Sequence, residues 1–249
     1  MRSLLPMPVA VALFAAAALA PPSLSAGTLQ LFASGEDLAT EGFQAPKRTK
    51  DGWALMFDHI YVTLADITAY QTSPPFDPQS DEPMLATDQV TVPGSHTMDL
   101  VTEADDEHRV LVAEVDARSG HYNAISWRME VAETGPAEGT SMLFIGNATR
   151  GGQTVPFRIA VAEVLRYECG EYVGDERKGF VEKDGIADLE MTFHLDHIFG
   201  REDKGADDPM NLEAPGFEPF SGGAALYQLT MGDLHVGHAG EGHCRVVRP

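Results

Sequence analysis

The chain has 249 residues, with 38 acidic side chains against 17 Lys and Arg and a formal charge of −21. A composition of 43% hydrophobic and 22% charged residues is typical of a globular protein with a sizeable core, not of a disordered one. Because phosphate binding needs a basic patch, the acid excess argues against a nucleic-acid partner. The charge favours a cation as partner, although it would also keep an exported protein soluble.

The first 26 residues have the pattern of a secretory signal peptide. Arg2 is the only charge before Glu36, an apolar stretch follows over 9–20, and small residues lead to Ala26. The stretch is too short and too close to Pro21 for a membrane anchor, and no Cys directly follows it to carry a lipid. We therefore expect a signal peptide over 1–26, a single β-sandwich domain over 27–249, and export to the periplasm without membrane insertion after signal cleavage.

The chain contains two cysteines, Cys169 and Cys244. An even pair in an oxidising compartment predicts a disulfide, which would tie the C-terminal segment to the body of the protein. In the chain-entropy model such a bond stabilises by about 4 kcal/mol. The alternative is that Cys244 is a thiolate metal ligand beside His243.

Most of the remaining chain has the period-two pattern of strands, separated by clusters of Gly, Pro and Asp. The segment 53–62 is apolar on both faces, as expected of a central strand. No long stretch has helical periodicity, so the sequence predicts an all-β fold, an antiparallel β-sandwich or a partly open barrel with long loops. The other predicted strands cover 109–115, 122–131, 141–145, 156–167, 186–198 and 225–231, and the long loops cover 72–83 and 202–222.

A first group of metal-binding residue types lies at the end of one predicted strand. His194, Asp196 and His197 place two imidazoles and a carboxylate within four residues, and these are ligands of zinc and copper. On an extended strand His194 and Asp196 share a face, whereas His197 points away unless the chain bends, which Gly200 would allow. The alternative is an exposed polar strand face with His197 in the core.

A second group lies near the C-terminus, where three histidines and Glu241 are interspersed with glycines. Glycine allows a backbone to fold around an ion, whereas the alternative is a solvated tail. If the last strand pairs near the first group, the two groups converge on a site with three or four ligands. The candidate metal ligands are His194, Asp196, His197, His235, His238 and His243.

Other chemistry-bearing residues are weaker candidates. His59 shares a predicted strand face with apolar residues, so we expect it in the core. Met191 and Met231 could offer thioethers to copper, although methionines more often fill cores. The acidic loop over 201–213 lacks EF-hand spacing, and it could act as a lid or a cation funnel. The sequence contains no His-Glu-x-x-His, Gly-x-Ser-x-Gly or phosphate-loop motif.

The signal peptide, the β-rich segment 53–62 and the sequence Gly-His-Tyr-Asn-Ala-Ile-Ser-Trp over 120–127 resemble the MbnP-like periplasmic proteins. The resemblance covers about the first half of the mature chain, and it implies a β-sandwich fold and copper handling. The histidine groups that begin at His194 have no counterpart in that family, so no ligand is carried over from it.

Three functions are consistent with these patterns. The first is an exported periplasmic protein that sequesters or delivers a transition-metal ion, zinc or copper, through its C-terminal histidines, with a metal transporter or receptor in the envelope as its partner. The second is a protein- or glycan-binding β-sandwich module in which the histidines are incidental. The third is a metal-dependent hydrolase with dispersed ligands and a base such as Glu241 or Asp196.

Overall fold

A computed structural model describes residues 26–102 and 108–248, so the predicted signal peptide lies outside the described residues apart from its last position. No helix in the described ranges is long and apolar enough to cross a membrane. The strands are β1 (Ala26–Ser34), β2 (Ala54–Thr72), β3 (Ala86–Thr91), β4 (Ser95–Asp99), β5 (Arg109–Arg118), β6 (Gly120–His121), β7 (Ala124–Met129), β8 (Met142–Arg150), β9 (Gln153–Val161), β10 (Leu165–Cys169), β11 (Phe180–Val181), β12 (Ile186–Phe193), β13 (Tyr227–Gln228), β14 (Gly237–Ala239) and β15 (Gly242–Val247). The helices are α1 (Glu36–Thr40), α2 (Asp196–Phe199) and α3 (Pro209–Glu213), with a 3₁₀ turn at Glu218–Phe220.

Thirteen of these strands form one large curled sheet, which confirms the all-β class. The strand order along the sheet is β13-β9-β8-β2-β7-β10-β15-β14-β12-β1-β5, with β3 and β4 also paired to β2. The sheet is mixed and not strictly antiparallel, because β1 runs parallel to β12 and β13 runs parallel to β9. The parallel pairing of β1 with β12 joins two segments that are far apart in sequence, and it positions part of the site described below.

The long strand β2 connects two parts of the sheet by changing partners along its length. Its first half pairs with β8 and its second half with β7, and a register shift with Asp66 at φ 52° lies between Ala65 and Thr68. A second shift lies between Phe57 and His59 and inverts the inward and outward alternation, so that Ile60 is buried and His59 is exposed. The prediction of a core His59 was therefore wrong. Nδ1 of the exposed His59 ring is hydrogen-bonded to Oδ2 of Asp99 at 2.7 Å.

Several predicted strands have different boundaries in the structure. The segment 156–167 contains the end of β9 and the start of β10, separated by a turn, because its alternation is interrupted after Val161. The segment 186–198 is a strand only to Phe193 and then turns into α2. Of 225–231 only two residues are in a strand. Helix α3 and the 3₁₀ turn lie within the loop predicted over 202–222.

A disulfide joins Cys169 and Cys244, which confirms the predicted bond. The two residues are directly opposite each other in the antiparallel pair β10–β15, with their Cα atoms 4.2 Å apart. Because its sulfur is used in this bond, Cys244 is not a thiolate metal ligand. The bond closes a loop over 75 positions of sequence and fixes β15, which carries the last histidine, to the centre of the sheet.

One part of the core consists of phenylalanine rings from distant segments. Phe199 of α2 lies at the centre of this group, with ring centroids 5.5 to 6.5 Å from its neighbours. All of these rings are buried. We call this group the aromatic core, and its members are Phe43, Phe57, Phe144, Phe199 and Phe217.

Candidate metal centre

The first two histidines are brought together by a helical turn at the end of β12. The amide of His197 donates to the carbonyl of His194 at 3.2 Å, and the amide of Phe199 donates to Leu195 at 3.1 Å. Residues three positions apart lie on the same side of such a turn, and the two imidazole centroids are 5.8 Å apart. The chain thus bends after β12 and brings His197 to the same side as His194, and Gly200 ends the turn with φ 61°.

The other three histidines come from the C-terminal hairpin, which lies directly beside the first pair. His238 of β14 is opposite Thr192 of β12 on one side and His243 of β15 on the other. The hairpin turn needs a glycine at Gly240, which has φ 59°. A Cβ at this position would lie 2.1 Å from the carbonyl oxygen of Val173 and would clash with it. The convergence of two sequence-distant histidine groups is therefore a consequence of the pairing of β14 between β12 and β15.

All five imidazoles form one group, which we call the histidine cluster: His194, His197, His235, His238 and His243. His238 is at its centre, with its ring centroid 4.2 Å from His194, 5.0 Å from His197, 5.0 Å from His235 and 5.2 Å from His243. Burial decreases across the cluster, since His238 is 1% exposed, His235 is intermediate and His243 is exposed. The cluster thus extends from the interior to the surface.

The buried ring nitrogens of the cluster lack partners. Among the described residues, neither nitrogen of His238 has a hydrogen-bond partner, and neither does Nε2 of His194. Buried polar atoms are almost always hydrogen-bonded, since leaving one unpaired costs about 1–3 kcal/mol. A bound metal ion is a partner that an unprotonated imidazole nitrogen accepts.

Four imidazoles of the cluster, those of His194, His197, His235 and His238, are held in the neutral form. Burial, together with the neighbouring imidazoles, lowers the pKa of His238 to about 2 and that of His235 to about 4. Burial also lowers the pKa of His194 and His197, although Asp196 opposes the shift in both. Neutral imidazole is the form that binds metal, so near pH 7 these four side chains need lose no charge to do so.

Carboxylates border the cluster on one side. Glu36 follows β1, and its Oε1 is 3.6 Å from Nε2 of His194. Burial, together with the nearby Glu241, Asp196 and Glu190, raises the pKa of Glu36 to about 7. Glu36 also has φ 54°, an uncommon conformation for a residue other than glycine and one that is concentrated at functional sites. A cation beside Glu36 would relieve this repulsion between acids.

The cluster opens into a cavity of about 670 Å³. Glu190 also lines it and is held by Ser34 at 2.6 Å and by Lys178 at 3.1 Å. The loop predicted as a lid or funnel does border the cavity, but it contributes the basic Arg201 and Lys204 and not its acids. The remaining lining residues are Asp37, Leu38, Lys47, Tyr172, Met210 and members of the cluster and its acidic side.

Three groups of ligand atoms lie close enough together to hold an ion, each within 4.8 Å. They are His194, His197 and His238; His235, His238 and His243; and Glu36, His194 and Glu241. Two nitrogens on a tetrahedral zinc lie about 3.3 Å apart, given bonds of about 2.0 Å, so side-chain rotation would have to close the remaining gap. All five candidate histidines thus occur in such groups.

Asp196 is the candidate ligand that belongs to none of the three groups. It is 8% exposed and lines the cavity, but its Oδ2 is 3.8 Å from a guanidinium nitrogen of Arg201. Its carboxylate raises the pKa of His194 and His197, so it acts on the cluster through its charge. The fully buried Met191 and Met231 pack in the hydrophobic core, as methionines usually do.

Sequence reasoning missed Glu36 and Glu190 as site residues. Glu36 is far from the histidines in sequence and reaches them because Ser34 is opposite Thr192 in the parallel pair β1–β12. No local pattern announces such a pairing. The one available signal was the acidic pair Glu36-Asp37 directly after an apolar segment, a common place for functional side chains at a strand end.

Comparisons with protein-family models, curated proteins and solved structures find no match for this chain. The functional argument therefore depends on the geometry of the site.

Proposed function

We propose that the protein is an exported, periplasmic metal-binding protein that sequesters or delivers a transition-metal ion, zinc or copper, through its C-terminal histidines. The observation that carries the proposal is His238, a 1% exposed imidazole with two unpaired nitrogens and four further imidazoles around it. A neutral cluster of this kind is costly without an ion and is a strong ligand set with one. The disulfide agrees with an oxidising compartment.

The ligand types favour Zn²⁺ or Cu²⁺. Imidazole nitrogens with neighbouring carboxylates suit both ions, whereas a site for Cu⁺ would be expected to include thioether or thiolate sulfur. Met191 and Met231 are fully buried in the core, and both cysteines are in the disulfide. The donor set thus supports a divalent ion.

The gradient of burial fits delivery or exchange better than permanent structural binding. His243 is exposed at the surface, and the cavity beside the cluster is open to solvent. An ion held at the outer histidines remains accessible to a competing ligand. A metal transporter or receptor in the envelope is the partner that such access would serve.

The test is a titration of chelator-stripped protein with Zn²⁺ and with Cu²⁺, followed by calorimetry. We expect the double variant H194A/H235A to lose at least tenfold in affinity, because it removes a ligand from each of the two all-histidine groups. The matched control is H59A/H96A, which removes two histidines outside the cluster and should bind as the wild type does. Equal binding by wild type and H194A/H235A would contradict the assignment, and no binding by wild type would favour the protein- or glycan-binding module.

A metal-dependent hydrolase is the second candidate, and Glu36 is the observation that favours it. Its carboxylate lies beside His194 at the edge of a cavity large enough for a small substrate, where a carboxylate can accept a proton from a metal-bound water. Zinc-loaded protein should then hydrolyse an activated ester or phosphodiester, and E36Q should reduce kcat when compared with wild type at the same zinc content. Zinc-loaded protein that shows no rate above free zinc would exclude this function for those substrates.

A further inference from the structure

His238 belongs to both of the all-histidine groups that could hold an ion. It closes one group with His194 and His197, and the other with His235 and His243. It lies on β14, which pairs with β12 on one side and β15 on the other, and the centroids of the other four rings are 4.2 to 5.2 Å from its own. A residue in this position is available to two ions at once.

One ion alone would leave His238 incompletely paired. A histidine that binds a single metal normally gives its other ring N–H to a carboxylate, a carbonyl or water, which fixes the ring. No described protein group forms a hydrogen bond with either nitrogen of His238, and both nitrogens are buried. The second nitrogen of a singly coordinated His238 would therefore stay buried without a protein partner.

A single ion also cannot use the whole cluster. Tetrahedral zinc takes four ligands, whereas five imidazoles and two carboxylates converge here. The two all-histidine groups share His238 and have no other residue in common. This division supplies each of two ions with two imidazoles of its own and one shared ring.

We propose that the site binds two divalent ions, one at each ring nitrogen of His238, which bridges them. The inference rests on the proposed metal-binding function and deepens it. The neutral ring carries one proton, so the first ion binds the unprotonated nitrogen and the second replaces the proton on the other. That proton leaves to solvent, the ring becomes an anionic bridge, and no oxidant or reductant is involved.

The experiment uses Cu²⁺ as the probe, with equilibrium dialysis and elemental analysis for stoichiometry and electron paramagnetic resonance for coupling. Wild type should bind two Cu²⁺ per chain. The intensity of its paramagnetic resonance signal per copper should fall on cooling, because two Cu²⁺ ions bridged by an imidazole anion couple antiferromagnetically. The H235A/H243A variant removes two of the more exposed ligands and should bind one Cu²⁺ with an uncoupled signal. H96Q, outside the cluster, should behave as wild type.

The variant H238A should also lose the coupling, but it could misfold, so H235A/H243A carries the test. Saturation of wild type at one Cu²⁺ would overturn the bridge and leave the metal-binding function intact. Two Cu²⁺ with an uncoupled signal would likewise overturn the bridge. Failure of wild type to bind any Cu²⁺ or Zn²⁺ would overturn both proposals.

Discussion

The short helix α2 contributes to two regions that differ in the chemistry of their buried side chains. Phe199 lies in the aromatic core, where the rings are apolar and packed edge to face. His197, two residues earlier, lies in the histidine cluster, where three buried ring nitrogens of His194 and His238 have no hydrogen-bond partner among the described residues. By contrast, Trp53, whose ring contacts Phe217 of the aromatic core, donates its ring N–H to Glu218 at 3.0 Å.

On the proposed function, the difference marks where the chain gives up stability for binding. The aromatic core stabilises the fold whether or not an ion is present, whereas the histidine cluster is costly until its nitrogens are occupied. A region that is costly when empty and favourable when filled is expected of a binding site. Changes in the two regions should therefore affect stability in different ways.

The largest effect should come from the aromatic core. F199A removes a fully buried ring that four others contact, so the free energy of unfolding should fall by about 3–5 kcal/mol. Urea unfolding with and without Zn²⁺ should show the same loss. A loss below about 1 kcal/mol would mean that this region does not hold the fold as described.

The pH dependence of the metal-free protein should reveal the cluster. His194, His197, His235 and His238 have lowered pKa values in the folded state, so below pH 6.5 the unfolded chain binds more protons and stability falls as pH falls. Glu36 has the opposite sign between pH 4.5 and about 7, but it is one partly exposed group against four histidines. Above about pH 8 none of these five groups should contribute a slope, because Glu36, with its raised pKa of about 7, is then ionised in both the folded and the unfolded state.

Urea unfolding of the metal-free protein at pH 7, 6 and 5 measures this slope. Stability should decrease at each step, and the decrease should be smaller in the H194A/H238A variant. A flat or rising profile in the wild type would show that these imidazoles are not held neutral by burial.

The smallest effect on stability is expected from H238L. This variant should separate the contribution of His238 to stability from its contribution to metal binding most clearly. Leucine fills a similar volume without buried polar atoms, so the metal-free protein should be unchanged or more stable by about 1 kcal/mol. The rise in Tm that Zn²⁺ gives the wild type should disappear or be strongly reduced. H59L, at an exposed position on β2, is the control and should keep that rise.

A clear loss of stability in metal-free H238L would contradict the comparison of the two regions. It would mean that His238 contributes to the fold as a packed, satisfied side chain and is not maintained for an ion.

The sequence predicted the strand-rich class, the disulfide and the two histidine groups, because each has a local signal. Periodicity marks the strands, and the spacing of His235, His238 and His243 marks the second group. The even number of cysteines and the expected oxidising compartment predict the disulfide. Even the convergence of the groups followed from the assumption that the last strand pairs beside the first group.

What the sequence did not reveal depends on register and long-range pairing. The bulge after Phe57 reversed the orientation of His59, and a one-residue shift of this kind has no reliable signal in a strand that is apolar on both faces. The parallel pair β1–β12 brought Glu36 to His194 across most of the chain. The position of Asp196 between two histidines in the sequence predicts a metal ligand, but the helical turn places its carboxylate beside Arg201.

The most direct test of the account is the metal content of the full chain, isolated from its native cells without an affinity tag or added metal. The account predicts at least one zinc or copper ion per chain in the wild type, and little or none in H194A/H238A isolated in the same way. A wild-type protein with no more zinc or copper than H194A/H238A would contradict the central claim that the histidine cluster is a metal site.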